Sequence, residues 1–302
     1  MKTLPAKNLC ILFLTAFIWG TAFVAQSVGM DHIGPFAFNT ARSFVGGLAL
    51  IPVILAFDRF KSPEQKRAEQ ANRRPLLLGG LCCGLALGVA SCLQQVGIKY
   101  TTVGKAGFIT ALYIVIVPIL GLFLGKKVGA RLWVSVGIAI IGLYLLCMSG
   151  SLTLQKGDLL VILCAFAFSV HIMVIDHFSP MADGVKMSCI QFFVAGVLSL
   201  AVMAFAEGAP AAGDLLRSWI PVLYCGVLSS GVAYTLQIIG QKGVNPTIAS
   251  LVLSLESVIS VLAGWVILHQ SMTGRELLGC LLMFAAIVLA QLPDRGERGP
   301  AD

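Results

Sequence analysis

Charged residues are scarce in this sequence, and no polar segment is long enough to form a soluble domain. Only 12% of the 302 residues are charged, whereas 58% are hydrophobic, and the mean hydropathy is +0.91. This composition excludes an ordinary water-soluble enzyme and is typical of an integral membrane protein. The net charge of +7 does not indicate nucleic-acid binding, because most lysines and arginines lie in short loops beside apolar segments.

The sequence also lacks the motifs of common cofactor and metal sites. Its nine cysteines lie inside apolar segments and none forms Cys-x-x-Cys, so they indicate neither a zinc site nor a disulfide framework. Gly104-Lys105 and Gly125-Lys126 lack the remaining residues of a phosphate-binding loop, and no His-Glu-x-x-His is present. We therefore expect no cofactor and no metal, and an integral membrane enzyme is only a secondary hypothesis.

Ten apolar segments are each long enough for a membrane-spanning helix, which takes about 20 residues. They predict an all-α integral membrane protein with ten transmembrane helices, the first ending near Gln26. One longer polar loop, residues 58–75, interrupts the series. It carries the basic residues Arg59, Lys61, Lys66, Arg67, Arg73 and Arg74.

The distribution of Lys and Arg predicts the orientation in the bilayer. Basic residues concentrate in the 58–75 loop and in the other loops on the same side as the N-terminus, and cytoplasmic loops carry such an excess. We therefore expect both termini in the cytoplasm, with a short cytoplasmic tail at residues 293–302. The short loops favour a bacterial cytoplasmic (inner) membrane.

The two halves of the chain resemble each other. Shifting the sequence by 143 residues aligns 93–127 with 236–270 without a gap, and both copies contain Gln-x-x-Gly-x-Lys, beginning at Gln94 and Gln237. Because each half holds five predicted helices, the second must enter the membrane from the opposite side. Inverted repeats of this kind are typical of secondary transporters that work by alternating access.

The order of several motifs resembles the EamA-type members of the drug/metabolite transporter superfamily. These motifs are Phe-Ile-Trp-Gly at 17–20, an arginine in the second helix, the stretches 105–118 and 253–257, and Gly264-Trp265. On this resemblance, residues 7–148 and 157–292 form two EamA-like repeats. The chain departs from the family where helices four and nine end, with Gly125-Lys126 and His269-Gln270 in place of Gly-Glu, and at Ser257 in place of proline.

The resemblance implies that helices one to four and six to nine surround a central cavity, with helices five and ten at the periphery. It further implies gradient-driven export of small metabolites, amino-acid-like or drug-like, with protons as a candidate coupling ion. A passive channel and a non-transporting scaffold are competing hypotheses. The sequence leaves the substrate and the oligomeric state open, a homodimer included.

Glu256 is the first candidate site residue, because it is the only charge in the middle of the ninth apolar segment. A carboxylate at mid-membrane depth costs on the order of 3 kcal/mol, so it requires a partner, a wet cavity or a proton. Its role is that of a substrate counter-charge, of a protonation switch, or of a protonated acid bonded to a neighbouring helix. The opposite face of this helix is expected to contact lipid; it holds Leu251, Leu255, Val258, Leu262 and Trp265.

Arg42 is the only basic residue within a predicted span, and Asn39 lies one turn before it. The arginine either pairs with Glu256, binds an anionic group of the substrate, or extends toward lipid phosphates. The sequence does not decide among these three roles.

The remaining candidates follow from the repeat and from polar or aromatic residues inside spans. Tyr113 is the repeat counterpart of Glu256 and is expected at the same midplane cavity. Gln94 and Gln237 are expected to have a shared structural or gating role. His171 is either part of a proton relay or a packing residue, and three further residues are expected to line the cavity or anchor the interface: Trp19, Gln191 and Tyr234. Gly80, Gly84 and Gly88 form a stripe for helix contact or sliding.

Overall fold

The computed structural model describes residues 5–101, 103–126, 128–147, 156–267 and 273–292. Within these ranges, ten helices are long and apolar enough to cross a membrane, which confirms the predicted all-α fold. They are α1 (Ala6–Gly29), α2 (Pro35–Phe60), α3 (Arg73–Lys99), α4 (Ala106–Phe123), α5 (Ala130–Cys147), α6 (Lys156–Phe178), α7 (Gly184–Ala206), α8 (Trp219–Gln241), α9 (Pro246–Ala263) and α10 (Gly274–Gln291). The predicted tail, residues 293–302, lies outside the described residues.

The segment 58–75, predicted as a loop, is largely helical. A short helix, Pro63–Ala71, lies between α2 and α3. Ser62 and Gln65 cap it reciprocally: the Gln65 N–H donates to Ser62 Oγ over 3.2 Å, and the Ser62 N–H donates to Gln65 Oε1 over 2.9 Å. Ser-x-x-Gln followed by strong helix formers is a sequence signal for a helix start, so the prediction of a plain loop was wrong.

α4 and α9 are interrupted at nearly equivalent points of the two halves. Leu112 separates two helical parts of the fourth span, and Ser254 separates two parts of the ninth. Their backbone angles are close, with φ −60° and ψ −9° at Leu112 and φ −63° and ψ −10° at Ser254. Each begins a tight turn in which the N–H three residues ahead bonds to its carbonyl. Such turns within a helix often mark functional positions.

α8 contains a second kind of irregularity. Its central part, Tyr224–Tyr234, is a π-helix, between regular segments ending at Leu223 and beginning at Thr235. The wider π turn shifts the side chains that follow it relative to a regular helix, and π segments are frequent at functional sites. The segment ends at Tyr234, whose ring is buried inside the bundle.

α9 is enclosed by other helices on nearly all sides. Leu251, Leu255 and Val258 are buried, whereas Trp265 is 50% exposed. The expectation that these leucines and this valine contact lipid was therefore wrong. The reason is tertiary, because α1, α4, α5 and α10 all pack against α9 from different directions.

The glycine stripe of α3 packs against α7. A Cβ atom at Gly80 would meet the Ile190 side chain, and one at Gly88 would meet the Leu198 side chain. At Gly84 an added Cβ would lie 2.5 Å from the Cβ of Val194 and 2.8 Å from the carbonyl oxygen of Gln191. The absence of side chains lets the two backbones approach closely, as small residues do between membrane helices.

Five charged residues form a network at the end of the bundle that carries the short helix. Lys61 Nζ lies 2.8 Å from Asp183 Oδ2 and 3.1 Å from Asp58 Oδ1, and it also contacts Glu69. Lys186 Nζ lies 2.9 Å from Asp58 Oδ2 and 2.8 Å from Glu69 Oε2. Partial burial opposes the charge of Lys61, but its hydrogen bonds to the carboxylates outweigh this and raise its pKa. The network joins α2 and the short helix to the start of α7.

Glu207 joins the other ends of α2 and α7. Its carboxylate, just after α7, accepts hydrogen bonds from the backbone N–H groups of Phe36 and Ala37 over 3.1 and 3.0 Å. These N–H groups belong to the first turn of α2, where a negative charge is favourable. α2 and α7 are thus connected at both ends.

We expect the Gly84→Ala substitution to destabilise the protein. The new methyl group must push α3 away from α7, which costs about 1–3 kcal/mol when the core cannot adjust. The thermal midpoint in detergent, measured by fluorescence-detected size exclusion, should fall. Gly137→Ala is the matched control, because no described residue lies within 4 Å of a Cβ placed there. Equal midpoints for the two variants would contradict the packing described for α3 and α7.

We expect the Lys61→Met substitution to destabilise the protein in a salt-dependent way. It removes the cation shared by Asp58, Glu69 and Asp183, so the thermal midpoint should fall by about 2–4 °C at low salt. The loss should shrink in high salt, which screens the remaining carboxylates from one another. Lys66→Met on the exposed short helix is the control. A loss that is the same at all salt concentrations, or the same in both variants, would argue against the network.

Candidate functional site

A small cavity with both polar and apolar lining residues lies between α1, α2, α3, α4, α6, α8 and α9. Its polar lining comprises Gln26, Arg42, Gln94, Thr110, Ser229, Gln237 and Glu256; its other lining residues are Trp19, Phe23, Tyr113, Phe168, Ile172, Tyr234 and Leu253. Among the described residues, α7 supplies none of the lining, although the family resemblance implied that it borders the cavity. Among these described residues, α5 and α10 supply none of the lining either. This agrees with the peripheral position that the resemblance implied for them.

The cavity is small. It leaves about 30 Å³ of free space, which suits a few water molecules. Pockets that bind drug-sized ligands hold roughly 300–1,000 Å³. The structure is therefore contracted around its polar centre.

Glu256 and Tyr113 meet in this cavity. The Tyr113 hydroxyl donates to Glu256 Oε1 over 3.1 Å, and Tyr113 and Glu256 are only 3% and 5% exposed. Tyr113 begins the second part of the fourth span, and Glu256 is the second residue after the interruption of the ninth. The tight turns at Leu112 and Ser254 thus bring the two repeat counterparts into direct contact.

Arg42 is buried in the same lining but has only neutral partners among the described residues. Its Nε donates to Asn39 Oδ1 over 2.8 Å, and its Nη1 donates to Gln26 Oε1 over 3.3 Å. Asn39 in turn donates to the backbone carbonyl of Ser91 on α3 over 2.9 Å. No ion pair with Glu256 forms in this part of the structure. At 4% exposure the guanidinium also does not extend toward lipid phosphates.

Aromatic side chains form one wall of the cavity around Tyr234. The Trp19 ring lies 4.5 Å from the Tyr234 ring, centroid to centroid, and its Nε1–H donates to the carbonyl oxygen of Ser229 over 3.3 Å. Phe192 packs against another side of Tyr234 at 5.6 Å. Such tilted and edge-on contacts favour a defined ring position. Trp19 and Tyr234 therefore belong to the site and are not anchors at the membrane surface.

His171 and Gln191 lie one layer behind this wall. His171 Nε2 lies 3.0 Å from Gln191 Oε1 and donates to it in the tautomer that carries the Nε2 proton. The His171 ring packs edge-on against Tyr234 at 5.9 Å, and its Nδ1 has no hydrogen-bond partner among the described residues. Both residues support Tyr234 without lining the cavity themselves.

The two repeat-related glutamines both face the cavity. Gln94 Nε2 donates to Thr110 Oγ1 over 3.3 Å, whereas Gln237 Oε1 has no hydrogen-bond partner among the described residues.

Gln26 and Thr110 were not predicted from the sequence. The first helix was expected to end near Gln26, but α1 continues to Gly29 and carries Gln26 into the bundle. Thr110 lies in the aligned repeat segment, one turn before Tyr113. This position is the sequence signal that could have identified it as a lining residue.

The described residues contain no group of three or more His, Cys, Asp or Glu side chains that could hold a metal ion. The site instead offers one carboxyl group, one guanidinium group, several amides and hydroxyls, and aromatic rings. This combination can bind an organic ion through charge, hydrogen bonds and stacking.

Comparison with known proteins identifies the family. A profile of the EamA-like transporter family matches residues 6–148 and 155–292. The chain belongs to this family. It is therefore a multi-pass membrane transporter, and the resemblance stated from its motifs is confirmed.

Similar proteins cover nearly the whole chain. An uncharacterised transporter of Archaeoglobus fulgidus is 30% identical over 93% of this chain and 84% of its own length. The S-adenosylmethionine/S-adenosylhomocysteine transporter of Chlamydia muridarum is 23% identical over 91% of this chain and 90% of its own length. The uncharacterised inner membrane transporter YedA of Escherichia coli K12 is 22% identical over 93% of this chain and 89% of its own length. A crystal structure with a TM-score of 0.75 and 19% identity covers 95% of this chain and 96% of its own, which supports the same fold.

We expect the Asn39→Leu substitution to destabilise this transporter. Leucine has a similar size, but it leaves Arg42 Nε without its acceptor, at a cost of about 1–3 kcal/mol for a buried group, and it removes the bond to the Ser91 carbonyl. Thr40→Val is the matched control, because among the described residues Thr40 Oγ1 bonds only to the Phe36 carbonyl within its own helix. The thermal midpoint of Asn39→Leu should fall well below that of Thr40→Val. Similar midpoints would contradict a bridging role for Asn39.

Proposed function

We propose that this transporter is a gradient-driven secondary carrier that exports small zwitterionic, amino-acid-like metabolites by alternating access. The observation that carries the proposal is the separation of Arg42 from Glu256. Both line one cavity, and neither has an oppositely charged partner among the described residues.

Burial makes this separation informative. A buried charge without a counter-charge is strongly unfavourable, so buried charges are normally paired. A substrate with a carboxylate and an ammonium group supplies both missing partners at once. Arg42 Nη2, for which the described residues offer no acceptor, would face the carboxylate, and Glu256 would face the ammonium group.

The aromatic wall supports a substrate with an apolar part. Trp19 and Tyr234 present ring faces and edges to the cavity, and Phe168 and Leu253 extend the apolar surface. The relative from Chlamydia muridarum is named for S-adenosylmethionine and S-adenosylhomocysteine. Both compounds carry an amino-acid group, the chemistry that we propose for the substrate of this protein.

The contracted cavity and the repeat support alternating access. A site with room for a few water molecules must open before a metabolite enters, and this argues against a permanently open pore. We further propose that the halves are inverted repeats, because the counterparts Tyr113 and Glu256 meet beside the interruptions of the fourth and ninth spans. Exchanging the conformations of two such halves exchanges the side that is open.

We propose that both termini lie in the cytoplasm of a bacterium and that protons drive export. The basic residues of the 58–75 segment would then face the cytoplasm, together with the charge network around Lys61. Glu256 is the carboxyl group of the cavity lining. A proton that replaces the substrate ammonium group at Glu256 would couple the two movements.

Counterflow in proteoliposomes tests this proposal. Vesicles loaded with unlabelled amino acids should accumulate label from a mixture of ¹⁴C-labelled L-amino acids, and an imposed pH gradient should accelerate the uptake. We expect Glu256→Gln to insert normally and to reduce exchange at least tenfold, because an amide cannot balance an ammonium charge or carry the proton. Glu64→Gln, on the exposed short helix, should exchange like the wild type.

Four results would contradict the proposal. Wild-type flux in Glu256→Gln at every pH would remove this residue from the mechanism. Conductance at channel rates would indicate a pore, and product formation by the purified protein would indicate an enzyme. Absence of exchange for every labelled amino acid would exclude the zwitterionic substrate class.

A further inference from the structure

Gln237 is a buried side chain with an unused acceptor in the cavity wall. Its side chain is 2% exposed, it lines the same cavity as Glu256, and its Oε1 accepts no hydrogen bond from the described residues. Buried polar atoms are nearly always hydrogen-bonded, because an unpaired one is unfavourable. Because the Gln237 side chain belongs to the lining of a cavity, a ligand in that cavity is a candidate donor to this atom.

The two repeat-related glutamines differ in their hydrogen bonds. In the first half, the amide nitrogen Nε2 of Gln94 donates to Thr110 Oγ1 over 3.3 Å. The residue that corresponds to Thr110 in the second half is Leu253, which also lines the cavity but has no hydroxyl group. The internal hydrogen bond of the first half is thus impossible in the second.

A second free acceptor lies in the same cavity. Glu256 Oε1 accepts the hydrogen bond of the Tyr113 hydroxyl, whereas the described residues offer no donor to Oε2. The guanidinium in the cavity lining is already engaged, because Arg42 donates to Asn39 and Gln26. One neutral and one ionisable acceptor therefore belong to residues that line the same cavity, and a group with several N–H donors can bond to both.

We propose that Gln237 is a specificity-determining residue that accepts a hydrogen bond from the substrate's ammonium group and selects amines with N–H donors over fully N-methylated ones. This inference rests on the proposed transport of zwitterions and adds the chemical basis of amine selection. Glu256 supplies a negative charge that attracts any ammonium group, methylated or not. Gln237 supplies an oxygen that accepts a hydrogen bond, which only an N–H group can donate.

The expected size of the effect follows from the strength of such a bond. A hydrogen bond to a charged group corresponds to roughly 10- to 100-fold in affinity. Trimethylation of the amine keeps the positive charge and removes every N–H. Wild-type protein should therefore prefer a primary amine over its trimethyl derivative at least tenfold.

The experiment measures competition in the counterflow assay. The label is the mixture of ¹⁴C-labelled L-amino acids, and the competitors are L-phenylalanine, N-methyl-L-phenylalanine and N,N,N-trimethyl-L-phenylalanine. These compounds retain the carboxylate and the positive charge and differ in their number of N–H donors. We expect Gln237→Leu to lower the preference for L-phenylalanine over the trimethyl compound about tenfold, while the N–H bond to Glu256 keeps its share of the preference.

Two further variants make the result specific to Gln237. Gln94→Leu is the matched control, because a hydrogen bond to Thr110 already holds the Gln94 amide; the preference ratio should stay at the wild-type value whatever the overall rate. Leu253→Thr places a hydroxyl group beside Gln237, and a hydroxyl can donate to the free Oε1. Its hydroxyl should occupy Gln237 Oε1 and lower the preference about tenfold, and it tests the proposal even if Gln237→Leu does not fold.

The outcomes distinguish this inference from the proposed function. If the wild type exchanges amino acids but keeps its preference ratio in both Gln237→Leu and Leu253→Thr, the role of Gln237 is refuted and the proposed function stands. An equal loss of preference in Gln94→Leu would also refute it. If the wild type exchanges no amino acid, the proposed function fails and this inference fails with it.

Discussion

A charged or polar side chain inside a bilayer loses the water that would otherwise surround it, and it must find its partners within the protein. This constraint explains where the polar residues of the chain lie. Glu256 turns toward the Tyr113 hydroxyl, and Arg42 turns toward Asn39 and Gln26. The apolar surfaces of the same helices are then left to face lipid or each other. The cavity exists because these polar groups converge on one place.

The same constraint makes the polar groups that lack a hydrogen-bond partner or a counter-charge informative about the ligand. Arg42 and Glu256 have neutral partners only, and Gln237 Oε1 has none, among the described residues. In a soluble protein, water could reach such groups at little cost. Here the free space holds a few water molecules, so the unsatisfied groups describe the chemistry of the ligand that would replace them.

The sequence supported much of this arrangement. Ten apolar segments predicted the ten helices, and the shift of 143 residues paired Tyr113 with Glu256, which lie in contact in the structure. Other predictions failed for identifiable physical reasons. Leu251, Leu255 and Val258 were expected to face lipid because hydrophobic periodicity cannot distinguish a lipid from a neighbouring helix, which is equally apolar. Gln26 was missed because helix ends predicted from sequence are uncertain by about a turn.

What the sequence determined by itself was the all-helical membrane fold, the internal repeat and the identity of the buried acid and base. These follow from hydrophobic length, self-similarity and the high cost of a charge in a bilayer, all of which are local or linear properties. Only the tertiary structure decided that Arg42 and Glu256 do not pair, that Gln94 Nε2 donates to Thr110 and that Gln237 Oε1 has no partner, among the residues described. Whether such a hydrogen bond forms depends on differences of about an ångström in the distance between side chains of different helices. No pattern along the sequence encodes these distances.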